Sequence, residues 1–262
     1  MNSVSALLVV SFGTSYPETR ARTIDAIEGA LQDAFPGHRL YRAWTSGMIR
    51  KKLLSRDGER ISSVDEAMEQ MALDGVTHVV VQPTHLLEGA EYDKVVNAVR
   101  AQADKFASVL VGAPLLAVPR DAEALAGALE EAFSHLRPDE LLALMGHGSA
   151  HMGFPAYSAL EAYFHRDGWA NVAIGTVEFS PGIGPVLQQV GNLRPRRVIL
   201  TPLLAVAGDH AQNDMAGDEE DSWKNQIARM GVQVECVVKG LGEYPAVRAI
   251  YVRHAQEAKP LN

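Results

Sequence analysis

Eight short apolar or β-branched runs, each followed by a longer stretch of helical period, leave this chain few folds to choose from. The runs are Ala6 to Ser11, Leu40 to Trp44, Val76 to Gln82, Val109 to Gly112, Leu141 to Met145, Val172 to Val177, Arg197 to Thr201 and Val232 to Val237. This is the pattern of βα units built around parallel sheets. Helices are predicted near residues 17–34, 62–74, 91–106, 121–135, 155–166, 183–192, 219–230 and 245–257. Ser63 with Glu66 three residues on reads as a capping box, and Pro17 and Pro245 suit a first helical turn.

Composition narrows the function. With 262 residues, 47% of them hydrophobic, the chain can bury a substantial core. No stretch approaches the roughly 18 apolar residues of a membrane helix. The opening run, Ala6 to Phe12, lacks the basic lead and small-residue cleavage site of a signal peptide. A soluble cytoplasmic protein with no membrane partner is expected. Cys236 is the single cysteine, so a disulfide within the chain and a cysteine-built metal site are both excluded. Any metal falls to His and carboxylates. A net charge of -8 argues against nucleic acid as a partner, because phosphate binding needs a basic face.

The two halves resemble each other. Val10-Ser11-Phe12-Gly13-Thr14 aligns with Met145-Gly146-His147-Gly148-Ser149, Trp44 to Ile49 with Glu178 to Ile183, and Val79 through Glu91 with Val198 through His210. The matches are short but occur in the same order. The expected fold is therefore α/β with two similar lobes, 1–137 and 138–262, each a parallel sheet flanked by helices, divided near Arg137 to Glu140. The active site is expected in the inter-lobe cleft, beyond the carboxyl ends of the strands.

Three residues stand at such strand ends in the second half. His147 follows Leu141 to Met145 between two glycines, Glu178 ends the run from Val172, and His210 lies in the loop after Thr201. Taken singly, each has a plainer reading: a hydrogen-bonded turn histidine, a solvated loop charge, a surface histidine. Together they leave neighbouring strands of one sheet. Two imidazoles and a carboxylate suit divalent Co, Fe, Ni or Zn and leave coordination positions open, which points to chemistry or transfer rather than a structural metal. The aligned positions in the first half, Phe12, Trp44 and Glu91, cannot form that set.

The first lobe is instead the expected wall for a flat ligand. Phe12, Trp44 and Met48 are candidates for apolar contact, with plain core packing as the alternative. Ser11, Gly13, Thr14 and Ser15 can offer hydroxyl and backbone donors to carboxylates, or simply form a turn. His85, just past a strand, can face the ligand, with a loop role as the alternative; Leu87 and Gly89 of the same loop join it as expected substrate contacts. His151 is near enough to His147 to support it. The acidic run Asp214, Asp218, Glu219, Glu220 and Asp221 can attract a cation, although a solvated helix start explains it more simply.

Over nearly its whole length the sequence resembles the anaerobic sirohydrochlorin cobalt chelatases, relatives of protoporphyrin ferrochelatase that need no ATP. The resemblance is carried by Leu8 to Ser15, Thr45 to Ile49, Gly146-His147-Gly148, Val177-Glu178, Val206 to His210 with Asn213-Asp214-Met215, Asp218 to Lys224, and Gly240 to Glu243. It implies insertion of Co2+ into sirohydrochlorin, with release of two protons, in cobalamin synthesis. The family's metal-binding and catalytic His, Glu and His fall on His147, Glu178 and His210. Cobalt is then a substrate, with Fe2+ or Ni2+ as alternatives that the ligand set also tolerates. A non-catalytic metal or tetrapyrrole carrier would use the same open site. No nucleotide is expected, since the dinucleotide and phosphate-loop patterns are missing. Some relatives are exported, and some carry haem between subunits through a first-lobe histidine, a role that would fall on His85; without a signal peptide an exported, haem-binding version is not expected here. A homo-oligomer is compatible with the sequence, which marks no interface.

Overall fold

The apolar runs become strands because a strand buried on both faces has no polar side to show. A computed structural model of the chain describes residues 3–148 and 154–261. The strands are β1 Ser5–Ser11, β2 Arg39–Trp44, β3 His78–Pro83, β4 Ser108–Val111, β5 Glu140–Gly146, β6 Val172–Thr176, β7 Arg197–Leu203, β8 Gln233–Cys236 and β9 Lys259–Pro260. The helices are α1 Pro17–Arg22, α2 Ile24–Ala34, α3 Gly47–Asp57, α4 Val64–Leu73, α5 Ala90–Arg100, α6 Pro119–Ala132, α7 Phe154–Arg166, α8 Gly184–Leu193, α9 Trp223–Ala228 and α10 Pro245–Gln256. Among the described residues, no helix is long and apolar enough to cross a membrane.

Two sheets form, in the orders β2-β1-β3-β4-β9 and β6-β5-β7-β8. Every pair is parallel except β4 with β9. In the first, Ala6, Leu8 and Val10 face a core closed by Met68 and Met71 of α4 and Val95 and Val99 of α5. In the second, Leu141, Ala143 and Met145 face Val186 and Val190 of α8 and Trp223 and Ile227 of α9. Leu142 and Leu144 are fully buried on the other face. Truncating such a leucine to alanine costs about 2–5 kcal/mol, so the central strands hold their carboxyl ends firmly.

Within each sheet the first four strands follow the same order, and the register refines the internal alignment. Ser11 pairs with Trp44, whereas its counterpart Gly146 pairs with Thr176. Trp44 therefore corresponds to Thr176, and Glu178 corresponds to Ser46. The alignment of Trp44 with Glu178 was displaced by two residues, a slip that keeps every side chain on its own face and so leaves the apolar pattern matched.

Other expectations change for local reasons. The helix predicted over 17–34 is two helices, α1 and α2, meeting at Thr23, whose buried hydroxyl donates to Thr19 O at 2.6 Å. That bond turns the backbone at the junction. The helix α3 was not predicted. It carries Arg50, Lys51, Lys52 and Arg56 and buries only Leu53, so it shows no apolar stripe; its signals are the Ser46 cap, accepting from Ile49 N, and left-handed Gly58 at its end. The capping box at α4 forms, with Glu66 N donating to Ser63 Oγ at 3.2 Å and Ser63 N to the Glu66 carboxylate at 2.7 Å.

The lobes are also not the contiguous halves 1–137 and 138–262. The compact units are 1–117 with 247–262, and 118–246. At the front, α6 packs on α7 of the second unit. At the end, α10 returns to the first: Tyr251 Oη donates to Thr84 O at 2.8 Å, and β9 pairs with β4.

Candidate metal centre

The β5–β6 ladder continues past both strand ends. Val177 N donates to Gly146 O at 2.9 Å and Glu178 N to His147 O at 3.0 Å, which sets Glu178 beside His147. Between them Gly148 takes a left-handed φ of +88°. A Cβ there would lie 3.1 Å from both Phe179 N and Thr176 Cβ. The following loop is tied down by Thr176, whose hydroxyl donates to Phe179 O and accepts from Gly182 N, across a cis Ser180–Pro181 bond. Tyr157 supports the turn from below. Its ring fills the space a Cβ on Gly146 would need, and its hydroxyl accepts from Gly148 N at 3.4 Å. Burial, partly offset by the Gly148 and His147 amides, pushes this hydroxyl up to about 12, so it stays protonated.

Replacing Gly148 by Ala combines the left-handed penalty, about 1–2 kcal/mol, with crowding against Phe179. Affinity for a divalent ion such as Co2+, measured by equilibrium dialysis, should fall about tenfold, with thermal unfolding shifted by only a few degrees. Unchanged affinity would contradict a role for this turn.

His210 arrives from the third strand of the same sheet. After β7 the chain enters a π-helical turn, His210–Met215, in which Ala211 and Met215 are buried in the core while His210 and Asp214 stand on the other side. Single π turns recur at functional positions. Ligand atoms of His147, Glu178 and His210 all come within 4.8 Å of one another, and no other group of three or more His, Cys, Asp or Glu among the described residues closes up in this way. His210 Nε2 is 3.7 Å from Glu178 Oε1, and the two imidazole centroids are 5.2 Å apart. Each Nδ1 already has an acceptor: Gly148 O at 3.1 Å for His147 and Asp214 Oδ2 at 2.6 Å for His210. Both acceptors require an N–H, which leaves each Nε2 lone pair for a metal. Two neutral imidazoles and a carboxylate can hold a divalent ion and keep positions open for exchange.

The acidic run after His210 disperses. Asp218 pairs with Lys224 at 2.8 Å and Glu220 with Arg229 at 3.5 Å, and only Asp214 joins the centre. His151 lies outside the described residues.

In the first unit the expected substrate contacts fall into two groups. Phe12 and Met48 are exposed, at 42% and 76%. Trp44 is fully buried against left-handed Gly13, a core residue rather than a contact surface. Ser11 is buried and its hydroxyl accepts from Thr84 Oγ1 at 2.8 Å; Thr14 is buried and accepts from Tyr16 N at 3.3 Å. Leu87 is half-buried, and Gly89 is the extended residue that opens α5. His85 has both ring nitrogens shielded from solvent without a partner. That burial, with Glu91 opposing and Lys94 reinforcing it, lowers the imidazole to about 4, so it is neutral near pH 7.

The family described as cobalt chelatase (CbiK) matches residues 5–259. The sirohydrochlorin cobaltochelatase of Salmonella typhimurium is 39% identical over 253 residues, covering 97% of this chain and 96% of that protein. The sirohydrochlorin cobaltochelatase CbiKC of Nitratidesulfovibrio vulgaris is 34% identical over 258 residues, 96% of this chain and 89% of that one. Among solved structures, SirB from Bacillus subtilis with Fe3+ shares the fold, with a TM-score of 0.64 at 13% identity over 97% of this chain and 95% of its own.

Proposed function

Because the chain belongs to the cobalt chelatase (CbiK) family, we propose that it inserts Co2+ into sirohydrochlorin at His147, Glu178 and His210. The observation that carries the assignment of residues is the approach of their ligand atoms to within 4.8 Å.

Free-base sirohydrochlorin must lose two pyrrole N–H protons as the ion enters. The two Nε2 atoms and the Glu178 carboxylate hold Co2+ as incoming substrate, and the carboxylate offsets its charge. As the ring nitrogens replace the imidazoles around the metal, each Nε2 lone pair is released and can accept one proton. Two imidazoles thus match two protons, and no nucleotide enters the balance.

Incubating the purified protein with sirohydrochlorin and, in turn, Co2+, Fe2+ and Ni2+, with the absorbance change followed, tests this reading. Turnover beyond one equivalent with Co2+ is expected, and with it a ranking that puts cobalt first. Stoichiometric uptake alone would mark a carrier, and preference for iron or nickel would reassign the metal. Replacing Glu178 by Ala should raise the cobalt concentration needed for half-maximal rate about tenfold or more and leave tetrapyrrole affinity within about twofold. The reverse pattern in titrations would remove Glu178 from the metal's side of the site.

A further inference from the structure

The two histidines of the centre are not equivalently supported. His147 Nδ1 donates to a neutral carbonyl, Gly148 O, at 3.1 Å. His210 Nδ1 donates to a carboxylate, Asp214 Oδ2, at 2.6 Å. Both bonds fix the same tautomer, but only the second places a full negative charge behind the ring. Such a partner orients the imidazole, makes Nε2 a stronger donor and stabilises positive charge brought to it.

The backbone builds the pair deliberately. Ala211 and Met215 anchor the π turn in the core, and His210 and Asp214 repeat the same four-residue spacing on its outer side. One residue earlier, Asn213 Nδ2 donates to Asp209 Oδ1 at 3.0 Å, a second tie across that turn. Asp218 and Glu220 of the same run have basic partners at Lys224 and Arg229, whereas Asp214 is turned to His210.

We infer that Asp214 is a positioning residue that makes His210 the anchor for the incoming metal and leaves His147 as the weaker, more readily exchanged ligand. The inference rests on the reading of the three residues as the metal centre. In it, cobalt is captured at the His210 side, and the His147 side gives way first as the ring nitrogens close on the ion.

The test uses the full chain, equilibrium dialysis with Co2+ alone, and initial rates with sirohydrochlorin. Asp214→Ala should raise both the Kd and the KM for Co2+ about 10- to 100-fold, the range for a lost outer partner of a metal ligand, with kcat at saturating cobalt within about threefold. Asp214→Asn keeps an acceptor oxygen without the charge and should fall between wild type and Asp214→Ala. His210→Ala should lose more cobalt affinity than His147→Ala. In the His210→Ala background, adding Asp214→Ala should change nothing further, because its effect passes through that ring. A cobalt Kd within twofold of wild type for Asp214→Ala overturns the inference, as does a further loss in the double variant. If His210→Ala itself keeps normal affinity and turnover, the metal-centre reading fails; if His210→Ala is inactive while Asp214→Ala is normal, only the role of Asp214 fails.

Discussion

Replacing His147 or His210 by Ala should lower cobalt insertion into sirohydrochlorin by about 100- to 10,000-fold, the range expected when a group that handles the transferred protons is removed. Each change also removes one of the three proposed ligands. The fold should survive it: His147 is exposed and His210 half-buried, and the two rings rest on turns whose buried anchors are other residues, Tyr157 under the first and Ala211 and Met215 under the second. Circular dichroism and thermal unfolding close to wild type are therefore expected alongside the loss. Near-normal product formation by both variants would separate chelation from this centre altogether.

The second large effect concerns stability and lies at the opposite end of β5 from His147. Glu140 is fully buried, yet it binds Arg197 at 2.9 Å, Arg196 at 3.2 Å and the Arg137 amide at 3.1 Å. Burial alone would raise its pKa, but the hydrogen bonds from Arg197, the Arg137 amide and Arg196 outweigh it and hold the carboxyl at about 2. Glu140→Gln should lower the unfolding free energy by about 3 kcal/mol at pH 7, since it leaves two guanidinium groups without their shared counter-charge. The sign of the pH dependence follows. The folded-state pKa lies below the ordinary carboxylate value, so the contribution is complete above about pH 4.5 and is lost as the pH falls toward 2. Urea unfolding of both proteins between pH 7 and pH 3 should show the difference narrowing below about 4.5. A difference that stays constant over that range would rule out the ionised carboxylate as its source.

Much of this architecture is legible in the sequence, for a physical reason. Strands buried on both faces, such as Leu141 to Met145, must be continuously apolar, and a parallel ladder then brings their ends together, so the meeting of His147, Glu178 and His210 follows from order alone. What escapes notice is what leaves no periodic trace. The helix α3 carries charge around most of its surface. The lobe boundary depends on α10 and β9 pairing with partners more than a hundred residues away, as Tyr251 does with Thr84. Glu140 breaks the rule that carboxylates stay outside, because its three donors come from Arg137, Arg196 and Arg197, none of which is marked as a neighbour by spacing on one element. Asp214 did have a signal, its four-residue distance from His210, but a run of acids at a helix start explains the same letters more cheaply. Trp44 illustrates the opposite error: an aromatic at a strand end invites a ligand, and here it fills the core.

The return of α10 and β9 to the first sheet makes residues 118–246 an insertion within the first unit rather than its successor. During synthesis the insertion is whole once residue 246 has emerged, while the unit that surrounds it in sequence still lacks its final helix and edge strand. The part that carries the two histidines and the glutamate can thus close before the part that begins the chain, and a stop codon shortly after Ala246 would strip the earlier-made unit and spare the later one.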